Sequence, residues 1–149
     1  MAYEMAQKTQ PLSAGIELSY HFRVALDKAE SLTQLANNWD DQGGTAYATE
    51  HVAKVTGFLS EIAKSVFIEK GVHLPVPRIN PGPQDSIDVQ WKEPGKTLLL
   101  NIPADPEKLC TFFGATSGGE KAEIRGVLDM RHLNSWIAEW LQLVPPSRL

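Results

Sequence analysis

The sequence predicts an α+β domain: an N-terminal helical hairpin, an antiparallel β-meander of about four strands, and a C-terminal helix packed on the sheet. Three observations carry this. Apolar residues recur every three or four positions from Leu18 to Val66, the spacing falls to two after Gly71, and it lengthens again from Asp129. The length of 149 residues fits one domain, set at 11–149 behind a flexible tail over 1–10 whose residues are polar and without period.

Each element has its own signal. Leu18, Phe22, Leu26, Ala29, Leu32 and Leu35 form one stripe and predict a first helix between Ile16 and Leu35. Asn37 to Gly44 holds two Asn, two Asp and two Gly, which predicts a structured turn. Thr45 is placed to cap a second helix, with Ala48, Val52, Val55, Leu59, Ile62 and Val66 on its apolar stripe. Phe58 and Phe67 widen that face enough to cover a sheet, and Glu50 precedes Lys54 by one turn on the polar side. Gly71 stops the helix.

Val72, Leu74 and Val76 then alternate ahead of Pro75, Pro77, Pro81 and Pro83, which marks an extended edge or a connector. Strands are predicted at Ile87–Trp91, Leu98–Ile102, Leu109–Phe113 and Ala122–Leu128, with turns at Glu93–Lys96, Pro103–Glu107 and Gly114–Gly119. The last helix starts near Met130 behind Asp129. It carries Leu133, Trp136, Ile137, Trp140, Leu141 and Val144, and ends at Pro145 and Pro146.

Composition narrows the partners. One cysteine, Cys110, allows no internal disulfide and suits a reducing cytoplasm, the expected compartment. No secretory signal and no apolar run of spanning length occurs, so no membrane contact is expected. The net charge is -4, and Arg78, Lys92, Lys96, Lys121, Arg125 and Arg131 are scattered, so nucleic acid is not an expected partner.

Most catalytic signatures fail on detail. Gly114–Ala122 has Glu120 before its lysine and Ala122 where a phosphate-binding loop needs Ser or Thr. No serine sits in a Gly-x-Ser-x-Gly elbow, and Cys110 reads as core filler. His21, His51, His73 and His132 have no ligand partners at metal-binding offsets, so neither a metal site nor a cofactor is expected. Among aromatic residues, Trp39, Trp136 and Trp140 are candidates for an interaction surface. Phe112 and Phe113 join them, because neighbours in a strand point to opposite faces and a one-sided core takes only one.

The string Asn38-Trp39-Asp40-x-x-Gly43-Gly44, then Pro77-Arg78-Ile79-x-Pro81 and Ser86-Ile87-x-Val89-x-Trp91, resembles a group of small uncharacterised bacterial and phage proteins. The resemblance spans residues 32–102. In that group an Asn-Trp-Asp-x-x-Gly-Ala turn precedes a strand pair with an Ile-x-Leu-x-Trp pattern; Gly44 stands here where alanine is usual. The resemblance implies the same α+β architecture and a mobile-element setting, and brings no catalytic residues with it.

Two function classes are weighed. The first is a non-catalytic protein-interaction protein of a bacterium or phage: an antitoxin-like, inhibitory or accessory subunit in a defence or counter-defence system. Its partner is another protein, met through the exposed sheet face or the last helix, and a homo-oligomer joined by sheet edges or terminal helices is compatible with it. The alternative is a small metal-dependent hydrolase or nuclease-like enzyme using Asp40, Asp41 and His51.

Overall fold

The computed structural model describes residues 17–117, 122–130 and 136–141. Helix α1 (Tyr20–Glu30) begins behind Ser19, whose hydroxyl accepts from the Phe22 amide at 3.3 Å, so Leu18 lies ahead of the helix. A 3-10 turn continues it over Ser31–Gln34, and Leu35 is already extended. Helix α2 (Thr49–Lys70) buries Val52, Val55, Leu59, Ile62 and Val66 as the stripe predicts, with Phe58 and Ala63 beside them. Gly71 takes φ +69° and donates its amide to the Phe67 carbonyl at 2.9 Å, a left-handed stop.

The start of α2 departs from the sequence reading. Thr45 does not cap it; Ala48 does, without a side-chain hydrogen bond, and Ala48 itself is exposed. The Thr45 carbonyl instead accepts the Trp39 indole N–H at 3.0 Å, and the chain runs on to bury Tyr47 before the helix can begin.

The sheet has five strands rather than about four, β1 (Arg78–Pro81), β2 (Ile87–Glu93), β3 (Lys96–Ile102), β4 (Cys110–Thr116) and β5 (Glu123–Leu128), each antiparallel to the next. The added strand is the edge. Bounded by Pro77 and Pro81, β1 needs a partner on one side only, a position where proline's missing donor does no harm. Strand β4 also runs on through Gly114, which the sequence places in a loop. That glycine is there for space, since a Cβ would come within 2.9 Å of both Ile124 and the Trp140 ring.

One face of the sheet carries Ile87, Val89 and Trp91, then Leu98, Leu100 and Ile102, then Cys110 and Phe112, then Leu128. These pack with Phe22, Leu32 and the α2 stripe into a single core, in which Trp91 is fully buried. The described part of the last helix, α3 (Trp136–Trp140), lies on the same face: Trp136 meets Phe112 at 4.8 Å between centroids, and Trp140 donates its indole N–H to the Thr97 carbonyl at 3.0 Å. Leu133, Val144, Pro145 and Pro146 fall outside the described residues, as does the tail. Among the described residues no helix is long and apolar enough to cross a membrane.

Trp91 donates its indole N–H to the Pro75 carbonyl at 2.8 Å, so it fixes the proline-rich connector as well as filling the core. Replacing it with Phe removes core volume and leaves that carbonyl without its donor. The expected loss is about 2–4 kcal/mol in urea denaturation; a change under about 1 kcal/mol is incompatible with this packing.

Candidate functional site

Two connections face each other across a groove, the second holding a short 3-10 turn over Pro83–Asp85. One is the Asn37–Gly44 turn and the other is the Pro81–Asp85 bend between β1 and β2. The groove measures about 610 Å³ and is lined by Trp39, Asp40, Tyr47, Pro81, Pro83 and Asp85 among others.

The first wall is a folded hydrogen-bond unit. The Asn38 amide oxygen accepts from Gly43 N at 2.7 Å, and Asp40 Oδ1 accepts from Gln42 N at 3.0 Å and Gly44 N at 2.8 Å. The Gln42 amide, seconded by Gly44, holds the Asp40 carboxyl below the usual carboxylate range and so keeps it charged. A Cβ on residue 44 would stand 2.7 Å from that carboxyl, which leaves room there for glycine alone.

The second wall is equally constrained. Gly82 has no room for a Cβ, which would meet the Ser86 hydroxyl at 2.5 Å and Asp88 Oδ1 at 2.8 Å. Asn101 donates to both of those groups, at 2.7 and 2.8 Å. The non-glycine residues with positive φ among those described are Asn38, Asp41, Gln84 and Asp85, so backbone strain is confined to the two walls of one groove.

Tyr47 ties the walls together. Its ring stands 6.5 Å from that of Trp39 and 5.9 Å from that of His51, and its hydroxyl donates to the Ser86 carbonyl at 2.8 Å. Burial raises the Tyr47 pKa first, and Asp85, Asp88 and Asp40 each add to the rise, so the three carboxylates converge electrostatically on one hydroxyl.

The sequence candidates divide accordingly. Asp40 and Trp39 line the groove; Asp41 and His51 do not. His51 is buried against β3, where its Nε2–H donates to the Ile102 carbonyl at 3.2 Å. Among the described residues no group of three or more His, Cys, Asp or Glu is arranged to hold a metal ion. Trp136, Trp140 and Phe112 are engaged within the chain, Lys96 lying over the Trp140 ring at 4.7 Å, while Phe113 projects from the opposite face of the sheet. Tyr47 and Gln84 were missed by sequence reasoning. Tyr47 has no periodic neighbours, but Pro81-Gly82-Pro83-Gln84-Asp85 is a turn signature that could have marked the second wall.

Comparison with protein-family models, with curated proteins and with solved structures gives no match. The chemistry of the groove therefore rests on its own residues.

Two outcomes follow from the buried groups. Burial lowers the His51 pKa below its ordinary 6.5, so the unfolded chain binds the proton more tightly. Stability is then full above about pH 6.5 and falls as pH drops below it. Denaturation midpoints at pH 7.5 and 5.5 should show this fall, reduced in His51→Gln; equal falls in both proteins would refute the assignment. Burial likewise pushes the Cys110 thiol up to about 12. Its alkylation in the native protein at pH 8 should be at least about 100-fold slower than after unfolding, because the thiolate is the reactive form.

Proposed function

We propose that this chain is a non-catalytic protein-binding protein whose groove accepts a basic, extended segment of its partner. The observation that carries the reading is the groove's chemistry: Trp39, Tyr47, Pro81 and Pro83 supply aromatic and apolar surface, Asp40 and Asp85 supply charge, and among the described residues no lysine or arginine lines it. A guanidinium or ammonium group gains from both features at once, through the ring faces and through the carboxylates. The strained, hydrogen-bonded walls hold this shape before a ligand arrives, which lowers the ordering cost of binding. The groove's open form suits a chain segment that crosses the surface.

The wider setting belongs to the same proposal. Residues 32–102 resemble bacterial and phage proteins, which favours an inhibitory, antitoxin-like or accessory subunit in a defence or counter-defence system. A metal-dependent hydrolase using Asp40, Asp41 and His51 has less support, since Asp40 is committed to two backbone amides and His51 to a backbone carbonyl.

The test is a titration of an acetylated hexa-arginine peptide followed by two-dimensional NMR. Signals of the Trp39 indole and of residues 40–47 and 81–86 should shift, and hexa-glutamate should leave them in place. Asp40→Asn with Asp85→Asn keeps the turn's acceptors and should weaken binding by about fivefold at low salt, with wild-type affinity converging on it as salt rises. Equal affinity of variant and wild type, or shifts confined to other surfaces, would overturn the reading.

A further inference from the structure

The second face of the sheet supports an inference independent of the groove. The ladders align three rows across β2, β3, β4 and β5: Lys92, Thr97, Ala115, Glu123; then Gln90, Leu99, Phe113, Arg125; then Asp88, Asn101, Thr111, Val127. Leu99 and Phe113 lie at the centre, half-buried and outside the core, and Val127 is 63% exposed. Arg125 covers the Phe113 ring at 5.0 Å and pairs with Glu123 within the chain at 3.8 Å, and the two side chains remain 73% and 63% exposed. The apolar centre is thus flanked by charge of both signs.

The order of residues along these rows is self-complementary. A two-fold axis parallel to the strands, set between β3 and β4, turns each row end for end onto its own copy. Under that operation Leu99 lies over the second copy's Phe113, Lys92 over its Glu123, and Gln90 over its Arg125. Each pairing occurs twice, as an isologous contact requires. Across β2 to β5 no like charges are stacked by it, and Arg78 of β1 extends the row one strand beyond Gln90. Aligned sheets cross at about 30°, which shifts the outer strands by a few ångströms, within the reach of lysine and glutamate side chains.

We infer that this chain forms a two-fold symmetric dimer through the second face of its sheet, the one opposite the described helices, with Leu99 and Phe113 at the centre and reciprocal Lys92–Glu123 pairs at the corners. This differs from joining by sheet edges or terminal helices. On the β1 side the edge is short and bounded by Pro77 and Pro81, and an edge contact on β5 leaves Leu99 and Phe113 uncovered. Four strands about 4.8 Å apart and about six residues long present about 400 Å² of plane per copy. Corrugated side chains raise the buried area of two faces to about 1,000 Å² or somewhat more, the lower end of specific interfaces. The two grooves of such a dimer would give it two binding sites, and avidity toward a repeated or dimeric partner.

Sedimentation equilibrium of the full chain between about 1 and 200 μM tests this. The expected mass rises from the 16.5 kDa of one chain to twice that value. Lys92→Glu alone and Glu123→Lys alone should each weaken the dimer by at least about tenfold, because one substitution spoils two symmetric pairs. The double variant should restore it to within about threefold. Both positions are exposed, so the fold is not at stake, and Asp40→Asn with Asp85→Asn should dimerise like wild type. A monomer throughout the range, or a dimer indifferent to both reversals, would overturn the inference.

Discussion

A ring packed inside with a polar tip must find an acceptor, and in this chain three buried rings and the half-buried Trp140 find one in a backbone carbonyl of another segment. Tyr47 reaches Ser86, His51 reaches Ile102, Trp91 reaches Pro75 and Trp140 reaches Thr97. Each bond joins a segment of one layer to a segment of the other, or the connector to the sheet. A helix packed on strands by apolar contact alone can slide, because dispersion and hydrophobic burial have little direction. A donor that finds one carbonyl cannot slide without leaving a dehydrated polar group behind, at a cost of about 1–3 kcal/mol. The four bonds thus set the register of the layers, while the apolar core supplies most of the free energy that holds them together.

The same constraint shapes the groove. The Tyr47 hydroxyl is anchored on Ser86, and Ser86 closes the Pro81–Asp85 bend by donating its hydroxyl to the Pro83 carbonyl at 2.7 Å. On the other side the Tyr47 amide donates to the Leu32 carbonyl at 3.0 Å, which fixes where the Asn37–Gly44 turn must return. One residue therefore spaces the two walls. The left-handed residues on both sides are tolerated because short-range hydrogen bonds over-determine each loop, and Asn, Asp, Gln and Gly43 occupy them. Loops built this way hold their shape, and a held shape with unneutralised carboxylates attracts charge of the opposite sign.

Periodicity made the secondary structure legible where a residue's neighbours decide its role. The α2 stripe, the Gly71 stop and the alternation of β2 and β3 are of this kind. It failed where a distant residue decides. Gly114 reads as a loop because nothing nearby reveals that Trp140 will press against it. Thr45 reads as a cap because the indole that occupies its carbonyl sits across a turn. The prolines marked the segment of β1 as an extended edge or a connector, and what decides for the edge is a distant partner, β2. Half of the candidate site was visible in the same sense: the Asx-rich turn is local, whereas its pairing with Pro81–Asp85 depends on how β1 returns to β2.

The adjacent pair Phe112 and Phe113 condenses the problem of reading surface from sequence. Alternation guarantees that they point to opposite faces, and nothing in the pair says which goes inward. The choice is made at Leu100, which pairs with Phe112 and whose burial in turn follows from Val89 across β2. A shift of one residue in that ladder would send Phe113 into the core and present Phe112 with Leu98 and Leu100 to water, so burial holds the register firmly. The aromatic residue left outside is then a by-product of the alternation, yet its surroundings are not random: Arg125 is placed over the ring and Leu99 beside it. Core packing on one face of a sheet thus dictates which side chains the other face must display, and the chain's charges are arranged around that display.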